Sequence, residues 1–184
     1  GASDGLFQLR ISGKEYSFEK VKLKDIDNPS NFERIYSIVH WKDQQYFLAT
    51  KGGVLLYDKF RNTFTVFEHD PKNRKKTISA GICRLAYKDL NGQIWFTTSV
   101  GGLNLLQEKA TGGIMIVPYA HNEVISKLSK DYITHIKQVS NDLYWLGTMG
   151  SGIIKFNKST KEARIFNKKN GLPNNVVYGI LQDK

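Results

Sequence analysis

The sequence has few of the residues that mark a disulfide-bonded, membrane-spanning or disordered chain. It contains one cysteine and four prolines among 184 residues, which excludes an internal disulfide and is unlike a proline-rich disordered segment. No apolar run approaches the roughly 18 residues of a membrane helix. The N-terminal GASDGLFQL lacks the basic and apolar regions of a signal peptide. The lone Cys83 lies within the apolar run ICRLAY and is predicted to be a small buried hydrophobe.

Positive charge is the strongest compositional bias of the chain. There are 27 lysines and arginines against 17 acidic residues, a net charge of +10. Such a charge is compatible with a nucleic acid, an acidic polysaccharide or a membrane surface as partner. Apart from the run KNRKK at 72–76, the cations are scattered, which equally fits a basic globular protein. No recognition motif accompanies the charge, so we predict no specific nucleic-acid binding.

An internal repeat organises the whole chain. The segments SDGLFQL, TKGGVLLYD, TSVGGLNLL and TMGSGIIKF each place a glycine before a short apolar run. The spacings between these glycines are 48, 49 and 50 residues, and the four positions are Gly5, Gly53, Gly102 and Gly152. A repeat of this length indicates one structural unit copied along the chain.

Two further runs precede the glycine in each copy. An aromatic-centred run ends on Thr50, Thr98 or Thr148, and its ring positions are Phe47, Trp95 and Trp145. A more apolar run comes before it, opening on Ile35, Ile82 or Ile133, and Val177 opens a fourth copy near the C-terminus. A polar run such as TFTVFEH follows the glycine segment. Each unit therefore predicts four strands.

Four strands, one ring and about 48 residues per unit predict an all-β protein built of β-propeller blades. A β-sandwich also has short strands, but it has no reason to repeat one ring and one glycine. We predict four antiparallel strands per blade, with the rings filling the wedges between blades. The predicted boundaries are 1–34 for a partial first blade, 35–81, 82–132 and 133–176 for three blades, and 177–184 for the first strand of the next. Since a seven-bladed ring would need roughly 300 to 350 residues, we expect a partial propeller of about four blades.

Two stretches of the repeat carry a family resemblance. GLPNNVVYGILQD at 171–183 and NGQIWFTTSVGGL at 91–103 resemble the two-component regulator propeller repeat. The match weakens at Ser151, which replaces the glycine found at position 101, and at Phe47, which replaces tryptophan. The resemblance covers nearly the whole chain.

The resemblance implies a function in signal transduction. Such repeats form the periplasmic sensor region of Bacteroidetes hybrid two-component systems, which resemble histidine kinases and sense oligosaccharides from polysaccharide breakdown. It implies that this segment is a non-catalytic, extracytoplasmic ligand-sensing module, part of an inner-membrane receptor. The implied ligand is an oligosaccharide, for which an acidic sugar is one candidate. The other implied partners are the remaining blades and signalling domains of the receptor, and a second copy in a homodimer.

Binding residues are expected on one face of the blades. The turn between strands two and three and the loop into the next blade share that face, which we call the turn face, and binding groups concentrate on loops held by a rigid scaffold. Two inner-strand residues, Arg84 and His135, are expected to line the central channel of the propeller. The predicted ligand-binding residues are Lys51, Arg84, Lys130, Tyr132, His135, Asn174 and Asn175.

Catalytic and metal-binding patterns are absent from the sequence. The four histidines have no neighbours at metal-ligand spacing, and no paired carboxylates occur in the predicted inner strands, as a glycosidase would require. We therefore predict no catalytic residues, no metal and no cofactor. The alternative to a sugar sensor is a propeller scaffold for protein–protein interaction, which predicts an exposed apolar patch on the turn face.

Overall fold

A computed structural model describes residues 4–100, 102–119 and 131–183. These residues form strands, turns and two three-residue 3-10 helices, which confirms the all-β prediction. The strands are β1 (Leu6–Ser12), β2 (Glu15–Val21), β3 (Ile35–His40), β4 (Gln45–Thr50), β5 (Gly53–Asp58), β6 (Thr63–Phe67), β7 (Cys83–Lys88), β8 (Ile94–Thr98), β9 (Leu103–Glu108), β10 (Ile114–Pro118), β11 (Ile133–Gln138), β12 (Leu143–Thr148), β13 (Ile153–Asn157) and β14 (Ala163–Phe166).

The strands form three four-stranded antiparallel sheets and one two-stranded hairpin. Blade A contains β3 to β6, blade B contains β7 to β10, and blade C contains β11 to β14, each in sequential order across its sheet. The hairpin of β1 and β2 precedes blade A. This arrangement confirms a partial propeller built of four-stranded blades.

Apolar side chains on both faces of each second strand make the core continuous from blade to blade. In β4, Phe47 packs in a cluster with blade B, whereas its neighbour Leu48 packs in a cluster with the hairpin and the segment before blade A. This alternation follows from the two-residue period of a strand. The result is one buried cluster between each pair of neighbouring units.

The repeated threonine and glycine have complementary structural roles in the turns. The buried Thr50 hydroxyl donates to the Gly53 carbonyl at 2.9 Å, and Thr148 donates in the same way to Gly152 at 3.0 Å. Gly53 has a φ of +137° and Gly152 a φ of +90°, and a Cβ at either glycine would collide with a carbonyl oxygen of the outer strand. The repeat spacing thus marks positions where only glycine fits.

Two of the three repeated rings lie between complete blades. Phe47 is buried between blades A and B, and Trp95 between blades B and C. Tyr144 and Leu146 in β12 pack toward blade B, so the intervening Trp145 lies on the opposite face, where it packs 5.7 Å from the Phe166 ring.

The segment predicted as a further inner strand is not paired with another strand among the described residues. Residues 177–183 form no strand, although the Val177 amide donates to the Thr148 carbonyl at 2.8 Å and attaches the segment to blade C. In the parts of the chain that the structure describes, no helix has the length and apolar character needed to cross a membrane.

Candidate functional site

The turn face is held together by the same backbone hydrogen bond in every complete blade. The first amide of the turn after the second strand donates to the carbonyl of the residue just before the first strand. The three bonds are Lys51 to Arg34 at 3.1 Å, Ser99 to Ile82 at 2.9 Å and Met149 to Tyr132 at 3.0 Å.

These bonds correct the alignment of the inner strands by one residue in blade B. The apolar pattern aligns Ile82 with Ile35 and Ile133, but the residue that pairs with the buried threonine in blade B is Cys83. Ile82 instead corresponds to Arg34 and Tyr132, which precede their strands. The offset arises because the apolar run extends one residue beyond the paired strand.

Each inner strand carries one unpaired residue next to the turn face. The register shifts between Ile35 and Ser37, between Cys83 and Leu85, and between Ile133 and His135. A bulge of this kind redirects the side chain of the extra residue. The three residues at the bulges are Tyr36, Arg84 and Thr134.

At the bulge of blade B, the Arg84 guanidinium lies between two aromatic rings. It lies 4.3 Å from the ring centre of Tyr36 and 5.6 Å from that of Tyr132. Its Nε atom is buried and has no hydrogen-bond partner among the described residues. Two predicted binding residues, Arg84 and Tyr132, are thus brought together, with Tyr36 as a third member. We call these three residues the arginine clamp.

His135 occupies a different position from the one expected. His135 and Arg84 were both expected to line the channel from equivalent positions. In the register of the strands, however, Thr134 is the unpaired residue that corresponds to Arg84. His135 is half-buried and pairs with Gly147. Its counterparts in the other blades are Ser37 and Leu85, of which Ser37 donates to the Ala86 carbonyl at 3.2 Å.

The two predicted asparagines carry structural hydrogen bonds. The Asn174 side chain accepts from the Val176 amide at 3.0 Å, and the Asn175 side chain accepts from the Lys168 amide at 2.9 Å. The Asn175 carbonyl also accepts from the Gly152 amide at 2.8 Å. These bonds join the loop after blade C to its turn. Lys51 is exposed on the turn of blade A, and Lys130 lies outside the described residues.

Sequence reasoning missed Tyr36 because its position in the repeat was not aligned with Arg84. Counting from the buried threonine would have identified it, since Tyr36 and Arg84 both follow the residue that pairs with that threonine. Asp131, which directly precedes Tyr132, is not among the predicted binding residues. Its carboxylate accepts from the amides of Tyr132 at 2.8 Å and Ser151 at 2.7 Å, which orders the backbone beside the clamp.

Asp89 is a buried carboxylate, and its hydrogen bonds are structural. Asp89 accepts from the amides of Asn91 and Gln93 at 3.0 and 2.8 Å through Oδ1. Through Oδ2 it accepts from Trp95 Nε1 at 2.8 Å and from the Tyr144 hydroxyl at 2.7 Å. Burial, together with Asp89, raises the pKa of Tyr144 well above its ordinary value. The hairpin turn that begins at Asp89 therefore also joins blades B and C.

Reactive groups are otherwise sparse. Among residues 4–100, 102–119 and 131–183, no three histidine, cysteine or acidic side chains cluster in a way that could hold a metal ion. Cys83 is completely buried, as predicted, and burial raises the pKa of its thiol far above the ordinary value. A buried neutral thiol is a poor nucleophile.

The fold and the repeated turn face define the class of this protein as a partial β-propeller. Comparison with solved structures agrees with this class, since the chain matches other propeller domains. The chain matches the extracellular domain of the hybrid two-component system BT3049 from B. thetaiotaomicron, with a TM-score of 0.69 and 20% identity over 98% of this chain and 21% of the other. It matches the extracellular domain of the one-component system BT4673 from the same organism, with a TM-score of 0.70 and 20% identity over 100% of this chain and 23% of the other.

A third match lies outside these bacterial receptors. The β-propeller domain of Cps50 (Swd1) from Myceliophteria thermophila has a TM-score of 0.63 and 9% identity over 89% of this chain and 54% of its own. No protein-family model and no curated protein matches the chain. The chain therefore shares the fold of the extracellular domains of these B. thetaiotaomicron proteins and spans about a fifth of their length.

Proposed function

We propose that this chain is a non-catalytic, periplasmic ligand-sensing module of a hybrid two-component sensor, and that it recognises an oligosaccharide released during polysaccharide breakdown. The supporting observation is the structural match, which spans 98% of the chain, to the extracellular domain of a hybrid two-component system. The remaining blades and the signalling domains of the same receptor would be its covalent partners, and a homodimer would transmit the signal.

The composition of the turn face favours a sugar over a protein surface. Only two of its large apolar side chains are strongly exposed in the described residues, Val100 at 56% and Met149 at 37%, and they lie on different turns. An apolar protein interface would need a contiguous patch. The face instead offers an arginine beside two tyrosines, and aromatic rings together with hydrogen-bonding groups suit a sugar.

A thermal-shift screen tests this proposal. Neutral, uronic-acid and sulfated oligosaccharides would each be added at low and at moderate salt, because a ligand that binds the native state raises the melting temperature. We expect one class of oligosaccharide to raise it at both salt concentrations. Shifts caused only at low salt, by every polyanion alike, would contradict sugar recognition and indicate generic charge binding.

A protein-interaction scaffold is the second candidate, and the N-terminal hairpin favours it. One side of this hairpin exposes Leu9, Ile11, Tyr16 and Phe18, at 47 to 73% of their areas. Leu9 lies opposite Phe18, and Ile11 opposite Tyr16, so the four side chains form one face. Concentration-dependent light scattering tests whether this face associates. Dimers that dissociate on Phe18→Ser substitution would support it, and a monomer at all concentrations would contradict it.

A further inference from the structure

We propose that the arginine clamp is an oxyanion subsite, which binds the carboxylate or sulfate group of an acidic sugar. This inference rests on the proposed function, because it names the chemical class of the ligand that the turn face would take. It concerns Arg84, Tyr36 and Tyr132, which lie together on the turn-face side of the inner strands.

The first observation is an unsatisfied donor. Arg84 Nε is the single buried side-chain nitrogen or oxygen without a partner in the described residues. A buried N–H group without an acceptor costs free energy, and the cost is larger for a charged group. A ligand oxygen that reaches Nε would remove this cost.

The second observation is the uncompensated charge of the guanidinium. Arg84 forms no ion pair within 4 Å in the part of the chain described. Asp131, which adjoins Tyr132, directs both carboxylate oxygens to backbone amides. The positive charge of the clamp is therefore available to an anion from outside.

The third observation is orientation. The ring of Tyr36 lies 4.3 Å from the guanidinium carbon and the ring of Tyr132 lies 5.6 Å away. Both distances are within the range of a cation–π contact. Two such contacts restrict the guanidinium before a ligand arrives, and an oriented guanidinium can donate two parallel N–H bonds to a carboxylate or sulfate. A neutral sugar hydroxyl cannot accept such a pair of bonds from one group.

The fourth observation is that the clamp joins three blades. Tyr36 belongs to blade A, Arg84 to blade B, and Tyr132 directly precedes blade C. An anion bound at Arg84 would therefore be recognised only where neighbouring inner strands are correctly placed. This position suits a sensor, because ligand binding and blade arrangement become coupled.

The first test follows the orphan donor itself. Six arginines are present, and selective 15N labelling gives one Nε–Hε signal for each ordered side chain; the Arg84→Lys variant assigns the signal of Arg84. Sodium formate and sodium sulfate are added while sodium chloride holds the ionic strength constant. We expect a saturable shift of the Arg84 signal alone, and the tighter-binding anion identifies the group. No shift, or equal linear shifts of all arginine signals, would overturn the proposal.

The second test uses sugars and separates this inference from the proposed function. Calorimetry compares digalacturonate with its dimethyl ester, and sulfated lactose with lactose. We expect one charged sugar to bind at least about tenfold more tightly than its neutral partner, as charge-assisted bidentate bonds would give. Equal affinities would overturn the subsite and leave sugar sensing intact. Failure of every sugar in the broader thermal screen would contradict sensing itself.

Variants show whether the clamp or its charge binds. Arg84→Lys keeps the charge but lacks the planar fork, so we expect it to lose the advantage of the charged sugar. Lys59→Gln removes an exposed cation in the turn between β5 and β6, outside the turn face, and should leave binding unchanged. If Arg84→Lys kept the preference for the charged sugar and Lys59→Gln lost it, only net charge would matter, and the clamp would be overturned. If Arg84→Lys does not fold, Tyr36→Leu replaces it, and an unchanged preference for the charged sugar in that variant would overturn the clamp.

Discussion

Between blades A and B the buried ring of Phe47 lies among apolar side chains, whereas between blades B and C the equivalent Trp95 donates a hydrogen bond to a buried carboxylate. Phe47 packs 5.3 Å from Phe96 and 5.3 Å from Trp41. Trp41 occupies the hairpin position that Asp89 occupies in the next blade. In both hairpins the amide of this residue donates to the carbonyl of the residue four positions later. One interface thus uses a ring where the other uses an acid.

The residue on the facing blade differs in the same sense. Ile94 in β8 is buried between blades A and B, and the equivalent Tyr144 in β12 donates to Asp89 between blades B and C. An apolar set in one interface corresponds to a fully hydrogen-bonded set in the other. The repeat therefore preserves the positions of the side chains between blades, while their chemistry is apolar in one interface and hydrogen-bonded in the other. Each must be complete in itself, since a half-satisfied polar set is costly.

Removing the central ring of the apolar interface should have the largest effect. We expect Phe47→Ala to lower the free energy of unfolding by about 3 to 5 kcal/mol, because it leaves a cavity that rigid strands cannot close. Urea denaturation monitored by tryptophan fluorescence measures the loss. Phe60→Ala is the control, because Phe60 is 87% exposed, and it should change stability by less than about 0.5 kcal/mol. Similar losses in both variants would contradict this account of the interface.

Neutralising the acid of the polar interface should have the next largest effect. Asp89→Asn keeps the volume but replaces one accepting oxygen with an NH2 donor in a site where four groups already donate to this side chain. We expect a loss of about 2 to 3 kcal/mol in urea denaturation. Asp43→Asn, in the exposed hairpin of blade A, is the matched control and should lose less than about 0.5 kcal/mol. A tolerated Asp89→Asn would mean that the four hydrogen bonds are not needed.

Most of the fold could be predicted because its constraints are local in sequence. The glycines of the turns, the buried threonines and the repeated rings each have a geometric requirement that recurs every 48 to 50 residues. The four-stranded unit follows from them. Residues 177–183 were predicted as a strand from their apolar pattern, but pairing depends on a partner strand, which a pattern does not supply.

The candidate site was predicted less completely because it depends on contacts between blades. Arg84 was predicted as a channel-lining residue of an inner strand, and Tyr132 from its place in the loop before blade C. Arg84 aligns with Tyr36 only when blade B is counted from Cys83, the first paired residue of its inner strand. The apolar run begins one residue earlier, so the apolar pattern alone gives the wrong alignment. The role of Asp89 in holding Tyr144, 55 residues away, also required the register of neighbouring sheets. Only the two bonds from backbone amides of its own hairpin are of the kind that turn chemistry alone could predict.

Removing one hydroxyl from the polar interface should have a smaller effect. Tyr144→Phe deletes one of the two donors to Asp89 Oδ2 and leaves Trp95 in place. We expect a loss of about 1 kcal/mol, the usual value for one hydrogen bond. Tyr178→Phe is the control, since Tyr178 is 76% exposed, and it should be neutral. A loss for Tyr144→Phe as large as that for Asp89→Asn would show that the hydroxyl, not the whole carboxylate network, dominates the interface.

Alkaline pH should reduce the difference in unfolding free energy between wild type and Tyr144→Phe. Burial and Asp89 raise the pKa of Tyr144 above its ordinary value of 10.0, so ionisation favours the unfolded chain. The contribution of the hydroxyl is complete below pH 10 and declines as the pH rises toward the folded-state pKa. We expect the stability difference between the two proteins to shrink by about 0.5 to 1 kcal/mol between pH 9 and 10.5. Because other tyrosines titrate equally in both proteins, a constant difference over this range would show that the Tyr144 hydroxyl is not held neutral by Asp89.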